Sequence, residues 1–377
     1  MTLAAATLFL ASFLISLLGT FLARRFAHRL GLIDAPGDRK VHTIPTPRNG
    51  GIGIFAGFAV PLAISLLLAI PLSYYSLIHQ FPPFIPEPLQ KHIPGLLAHQ
   101  SLAWLFLACT LEIHILGLLD DKKPIRPWPK LLAQVAIAGT LVILGDILLA
   151  PGAFRILTFL GNFPSPGFFL SALLSILWIV ALTNAFNFLD HMDGLSAGIA
   201  FICAAMFLIA AAFNGQLFIC ALLLLFLGSV LGFLCFNFPP ATIFMGDGGS
   251  MVLGFILSVL TIRTTYYQPG RHWYAILMPL FVMAIPLYDL VIVSILRLAK
   301  GRSPLQADTN HFSHRLTRHG FSKRAAVLVI YGLTLATGIT APLLARVDDI
   351  SAMLIAAQLL GTLVVFATLE RVGEHIQ

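Results

Sequence analysis

Stretches of about twenty residues with almost no charge recur along the whole chain, at residues 2–22, 50–72, 101–119, 131–150, 168–188, 195–213, 217–236, 250–266, 274–296, 325–345 and 351–369. A helix needs roughly 20 apolar residues to cross a bilayer core of about 30 Å. Inside hydrocarbon, each backbone N–H and C=O must be bonded within the protein, and a helix does this segment by segment. The expected fold is therefore an all-α polytopic membrane protein with about eleven transmembrane helices, forming a single domain over residues 1–377. Composition agrees. Hydrophobic residues make up 58% of the chain and charged ones 10%, whereas a soluble domain carries about 25% charge.

The basic residues fix an expected orientation. Of 23 Lys and Arg, 18 fall in the loops on the side of residues 23–49 and 5 on the other. The positive-inside rule places the first group in the cytoplasm and the N-terminus outside, and eleven spans then bring the C-terminus inside. The net charge of +7 is explained by these loops, so nucleic acid is not an expected partner. The first apolar run lacks a basic start and is followed by arginines, which suits a spanning helix better than a cleaved signal. Cys109, Cys203, Cys220 and Cys235 all lie in apolar segments and read as small buried hydrophobes. On the outer side, residues 153–166 combine an apolar run, Gly161-Asn162 and prolines, which suggests a small interfacial hairpin. Pro279 and Pro286 should bend the ninth span.

Carboxylates are costly near a bilayer, so their positions are informative. Asp120 and Asp121 close the third span, Asp190 and Asp193 close the fifth, and Asp247 opens the eighth. All five fall on the expected cytoplasmic side. Adjacent acids need compensation by a cation, a basic side chain or a shared proton. The plain alternative for Asp120–Asp121 is a helix end facing water beside Lys122 and Lys123. Asn184, Asn187 and His191 share one helix face, with Asp190 beside it; interhelical hydrogen bonding would account for one asparagine better than for the whole set. Gly246-Asp247-Gly248-Gly249-Ser250 opens a helix whose first N–H groups favour anions. An aspartate there makes sense if it holds Mg²⁺ against phosphate. Glu112, Asp146 and Asp289 are embedded exceptions. Near the end of the chain, His311, His314, Arg315 and Arg318 follow helical spacing and would form a cationic face suited to phosphate and sugar hydroxyls, or a loop touching anionic lipid. Acids for a metal, donors for anions and a membrane for a lipid substrate together point to phosphoryl transfer.

The strings LIDAPGDRKVHTIPTPRNGGIGIF, GLLDDKKPIRPWPKLLAQ, NAFNFLDHMDGLSAG, NFPPATIFMGDGGSMVLG, PLYDLVIVSILRL and HFSHRL resemble, in order, those of the polyprenyl-phosphate N-acetylhexosamine-1-phosphate transferase family. The resemblance covers about residues 32–320. It implies transfer of a HexNAc-1-phosphate, GlcNAc-1-phosphate above all, from a UDP-HexNAc to undecaprenyl phosphate with release of UMP, at the cytoplasmic face of a bacterial inner membrane. It further implies Mg²⁺, with Mn²⁺ as its substitute, held by Asp247 and Asp120. Asp120, Asp121, Asp190 and Asp193 would be the catalytic acids. Lys130, Asn184 and Asn187 would contact substrate, Asn237 and Phe244 the uracil, and His311, His314 and Arg315 the sugar. The ninth span would border a polyprenyl groove, among membrane lipids, and a homodimer is an open option.

Two positions depart from the family pattern. His191 stands where Gly is usual, and Ser313 replaces one histidine of the sugar loop. The peptidoglycan-initiating branch, which takes UDP-MurNAc-pentapeptide, has a triple-histidine stretch that is absent here. A rival of another class is a transporter or lipid-glycan flippase, which would favour polar groups at mid-membrane.

Overall fold

The computed structural model describes residues 2–34, 45–78, 90, 93–264, 266, 272–301, 303 and 312–372. Each apolar stretch seen in the sequence is helical over most of its described residues. In chain order the helices are α1 (Thr2–Leu30), α2 (Gly51–Ile78), α3 (Ile93–Ala98), α4 (Gln100–Lys122), α5 (Pro127–Leu144), α6 (Pro166–Phe188), α7 (Leu195–Phe213), α8 (Leu217–Asn237), α9 (Asp247–Arg263), α10 (Met278–Val282), α11 (Ala284–Ala299), α12 (Phe312–Arg318), α13 (Lys323–Gly338) and α14 (Asp349–Val372). Among the described residues nine helices are long and apolar enough to cross a membrane, or ten when the bent pair around Met283 counts as one span. The protein is a multi-pass membrane protein.

α9 is the centre of the bundle. It is 17 residues long, or about 25 Å, and every residue from Gly248 to Thr261 is buried. A helix apolar on all sides is stable only when surrounded, and α9 packs chiefly against α6 and α4. Its neighbours start where local chemistry allows. Ser165 caps α6, its hydroxyl accepting the Phe168 N–H at 3.2 Å, with Pro166 in the first turn. Proline there costs nothing, because that N–H has no helical partner.

Close helix approach holds α1, α2 and α8 together. A Cβ on Gly228 would lie 2.4 Å from the Phe9 carbonyl, and one on Gly232 would lie 2.6 Å from that of Phe13. These two glycines, four apart, let α1 seat against α8, and lipid offers no hydrophobic drive that could replace such packing. Ser12 Oγ lies 2.8 Å from the Gly57 carbonyl and 2.5 Å from that of Leu225, which share its one hydroxyl hydrogen, and Ser16 Oγ donates to that of Ser229 (2.6 Å).

The bend expected from Pro279 and Pro286 is present. α10 and α11 meet at Met283 at an angle of 66°. Both prolines lie in the first turn of their helix, where the missing N–H is tolerated. The expected outer hairpin is not found. Residues 153–166 contain turns and a single 3₁₀ turn, Thr158–Leu160, and no strand. Side chains satisfy its backbone instead of a strand partner: Ser175 Oγ accepts the Ile156 N–H at 2.8 Å, and Arg155 donates to the Gly161 carbonyl at 3.1 Å. Arg155 in turn pairs with Asp146 at 2.5 Å, both buried, which gives embedded Asp146 a structural role. One strand pair was not anticipated, a two-residue antiparallel ladder of β1 (Ile33–Asp34) and β2 (Thr46–Pro47).

Replacing Gly232 by Val should force α1 and α8 apart and lower stability by about 1–3 kcal/mol. Thermal unfolding in detergent would show this as a lower midpoint, while Cys235→Ala, on the exposed side of α8, should leave it unchanged.

Candidate active site

The site gathers at the N-terminal end of α9. Asp121 closes α4, and its side chain is fully buried. Oδ1 accepts the Asp247 N–H at 2.8 Å and Oδ2 accepts the Gly248 N–H at 2.9 Å. A carboxylate from another helix therefore caps α9. The sequence suggested that these first-turn N–H groups would bind a substrate anion; the anion they hold is Asp121. Donors at a helix start need an acceptor, and a buried start has no water to supply one. No side chain fits between the two elements. A Cβ on Gly246, whose φ is +73°, would lie 2.5 Å from Asp121 Oδ2, and one on Gly117 would lie 2.4 Å from the Asp247 carbonyl.

Arg48 joins this cap from the loop before α2. Its Nε lies 3.0 Å from Asp121 Oδ1, and its terminal nitrogen lies 3.5 Å from Asp247 Oδ1. The loop is held in place by backbone bonds. The Phe244 N–H donates to the Pro47 carbonyl (2.7 Å), and the Gly50 and Gly51 N–H groups donate to the carbonyls of Phe244 and Met245 (2.9 Å each). Burial works against the Arg48 cation, but Asp121 and then Asp247 outweigh it and raise its pKa.

On the other side of Asp247 stands Lys130, in the first turn of α5. Its ammonium donates to Asp247 Oδ2 and to Asp120 Oδ2, the latter at 2.8 Å. Asp120 also accepts the Ile125 N–H at 2.5 Å. The acidic pair is thus compensated by Arg48 and Lys130. Lys122 and Lys123, its sequence neighbours, are exposed and make no ion pair with it.

Asp190 lies in the loop between α6 and α7. Among the described residues no donor is bonded to its carboxylate. Burial, then the charges of Asp247 and Asp121, push its pKa well above the usual carboxylate range, with Arg48 opposing them. Asp193, in the same loop, accepts the Ala241 N–H at 2.9 Å and so ties it to the segment before α9.

The asparagines act mainly as struts. Asn184 donates to Gln134 Oε1 (2.7 Å) and to the Val180 carbonyl (2.8 Å), and Asn187 donates to Ser250 Oγ (2.9 Å). Both ends of the Asn237 amide are taken by backbone. Its oxygen accepts the Gly194 N–H and its nitrogen donates to the Ile243 carbonyl, each at 2.9 Å. Asn237 is buried and ties together the two loops beside the acids. Phe244 is half-buried beside the Arg48 loop. Arg315, on α12, is buried, while Arg318 is exposed. His311 and the side chain of His314 lie outside the described residues.

Two contributors were not singled out in the sequence. Arg48 was visible only as one basic residue in PRNGG. His114, midway along α4, donates from Nδ1 to the Gly248 carbonyl at 2.8 Å and stacks on Phe55 with ring centroids 4.5 Å apart. A carbonyl can only accept, so the proton is on Nδ1. A polar residue inside an apolar helix was the available signal.

The donor set suits a hard cation. Asp120, Asp121 and Asp247 outnumber Arg48 and Lys130 even if Asp190 keeps its proton. No three acidic, His or Cys side chains among the described residues form a ready cage. Mg²⁺ is commonly held by one or two carboxylates together with water and substrate phosphate, which asks for no such cage.

The chain is a polytopic bundle that gathers paired acids and cations at the start of a buried helix. Residues 103–265 match glycosyl transferase family 4. The chain is 32% identical over 328 residues to a Bacillus subtilis protein named "Probable undecaprenyl-phosphate N-acetylglucosaminyl 1-phosphate transferase", covering 86% of this chain and 80% of that one. It is 30% identical over 338 residues to the Escherichia coli undecaprenyl-phosphate alpha-N-acetylglucosaminyl 1-phosphate transferase, covering 87% and 80%. It is 30% identical over 346 residues to the Mycobacterium tuberculosis decaprenyl-phosphate N-acetylglucosaminephosphotransferase, covering 85% and 78%. The chain belongs to glycosyl transferase family 4.

Two outcomes are expected. Asp121→Ala should destabilise the protein by about 3–5 kcal/mol, because it strands Arg48 and the α9 donors, while Lys122→Ala should stay within about 0.5 kcal/mol. Denaturation in detergent distinguishes them. Asp190→Asn should stabilise the substrate-free protein at neutral pH. A raised folded-state pKa makes the ionised acid unfavourable, and this penalty vanishes below the unfolded pKa. The gain should shrink as the pH falls toward 4, which a series of thermal melts against pH would reveal.

Proposed function

We propose that this chain transfers a HexNAc-1-phosphate, GlcNAc-1-phosphate in the first instance, from a UDP-sugar to undecaprenyl phosphate at the cytoplasmic face of the membrane. The observation that carries this reading is the convergence of Asp120, Asp121, Asp190 and Asp247 with Arg48 and Lys130 at one end of the bundle. The names of the relatives supply the acceptor and sugar classes. The count of basic residues, 18 against 5, supports a cytoplasmic site.

The residues divide the work. Asp121 caps α9 with both oxygens and so shapes the site. Arg48 and Lys130, at the acidic cluster, suit the phosphate oxygens of a diphosphate. Asp247 and Asp120 would hold Mg²⁺, whose chemistry is to neutralise the diphosphate and the developing charge. Among the described residues no donor is bonded to the Asp190 carboxylate, so in its ionised form Asp190 would be the acid open to take the proton of the lipid phosphate. An oxygen of that phosphate then forms a bond to the β-phosphorus. The bond from this phosphorus to the bridging oxygen breaks, and its electron pair departs with UMP. The acids lie at a helix end and not at mid-membrane, which favours this reading over a transporter.

The test is UMP release by purified protein with undecaprenyl phosphate, Mg²⁺ and a panel of UDP-sugars that includes UDP-GlcNAc and UDP-MurNAc-pentapeptide. Lipid-dependent release with UDP-GlcNAc is expected, lost on chelation and restored by Mg²⁺. Asp247→Asn should lower the rate by at least about a hundredfold. Release only with another donor would change the sugar, and no release with any donor would sink the transferase reading.

A further inference from the structure

His191 and Ser313, where the sequence departs from the pattern that the resemblance implies, touch each other. His191 lies in the loop with Asp190 and Asp193. Its Nδ1 is 2.6 Å from the Phe188 carbonyl, and its Nε2 meets Ser313 Oγ. The carbonyl can only accept, so Nδ1 carries the proton in a neutral ring, and Nε2 accepts the Ser313 hydroxyl. Ser313 is 1% exposed, so little water competes for this bond.

Ser313 is the second residue of α12, the short helix that carries Arg315. Seven residues cannot hold a stable position alone, so the placement of α12 depends on its anchors. One is buried Asp289 of α11, whose Oδ1 accepts the Phe312 N–H at 3.0 Å. Another is the Phe312 ring, edge-on to Phe366 with centroids 3.8 Å apart. Both bind α12 to the α11 and α14 side of the bundle. Neither refers α12 to the loop that carries the acids.

We propose that His191 and Ser313 form a latch that registers α12 against the Asp190–Asp193 loop and so sets the position from which α12 engages the donor sugar. His191 is a positioning residue, acting through Ser313. The sugar-binding part of this inference rests on the proposed function, but the latch itself does not. A glycine at position 191 has no side chain to bridge the gap.

Two readouts on the full-length protein in detergent test this. The first is hydrogen–deuterium exchange of the segment Phe312–Arg318. His191→Ala and Ser313→Ala should each speed it, and the double variant should be no faster than either single one, since both remove the same bond. His191→Gln, which retains an acceptor of similar reach, should restore much of the protection. The second is donor kinetics. Each single variant should raise KM for UDP-GlcNAc about tenfold with kcat within about threefold, and the double variant should match them. Unchanged exchange in the single variants, or additive effects in the double one, would overturn the latch. Faster exchange with KM unchanged and the loss entirely in kcat would overturn its role toward the sugar. If the wild type turns over no UDP-sugar, the proposed function falls, and the exchange measurement still decides the latch.

Discussion

The Asp121 carboxylate at the start of α9 is the contact on which the rest of the site depends. α9 is sheathed by other helices, so its first N–H groups open into the protein and not into water. Asp121 supplies both oxygens to them. That one bond pair fixes the end of α4 against the start of α9. It presents Asp247, the first residue of α9, to Lys130 on one side and Arg48 on the other. The glycines at 117 and 246 are part of the same arrangement, since a methyl group at either position would occupy the space of Asp247 or Asp121.

The charges assembled around this cap form a graded set. Asp121 caps α9 and pairs with Arg48. Asp120 is held by a backbone N–H and by Lys130. Asp247 is shared by two cations. Among the described residues no donor is bonded to Asp190, and burial disfavours its charge. In a low-dielectric setting such differences separate carboxylates of identical chemistry into acids that bind and acids that exchange protons. The cations lie between the acids, Arg48 between Asp121 and Asp247 and Lys130 between Asp120 and Asp247.

The opposite end of the bundle uses charge in another way. Asp146 and Arg155 are almost fully buried and pair with each other, and Arg155 also stacks on Phe168, 4.7 Å from the ring centroid. The loop between α5 and α6 is fixed by this pair and by two serines of α6. Asp289 serves similarly on the active side. It anchors the backbone of α12 and is no part of the acidic cluster. An embedded carboxylate can therefore serve as architecture or as chemistry, and its bonded partner distinguishes the two.

The sequence by itself determined the helices, their membrane character and the end of the bundle where the acids gather. Apolar run length is a local property, and a backbone in hydrocarbon has few alternatives to helix. It also marked Asp120, Asp190 and Asp247, because acids at the ends of apolar helices stand out. It did not reveal that Asp121 caps α9, that Arg48 and not Lys122 compensates the acidic pair, or that Asn237 is a strut between two loops. Nor did it reveal that residues 153–166 would satisfy their backbone through serines and an arginine instead of a hairpin. Each of these depends on which helix ends lie side by side, often more than a hundred residues apart in the chain. Only tertiary packing decided that, because the partner of a buried charge or N–H is set by proximity in space, which local spacing does not encode.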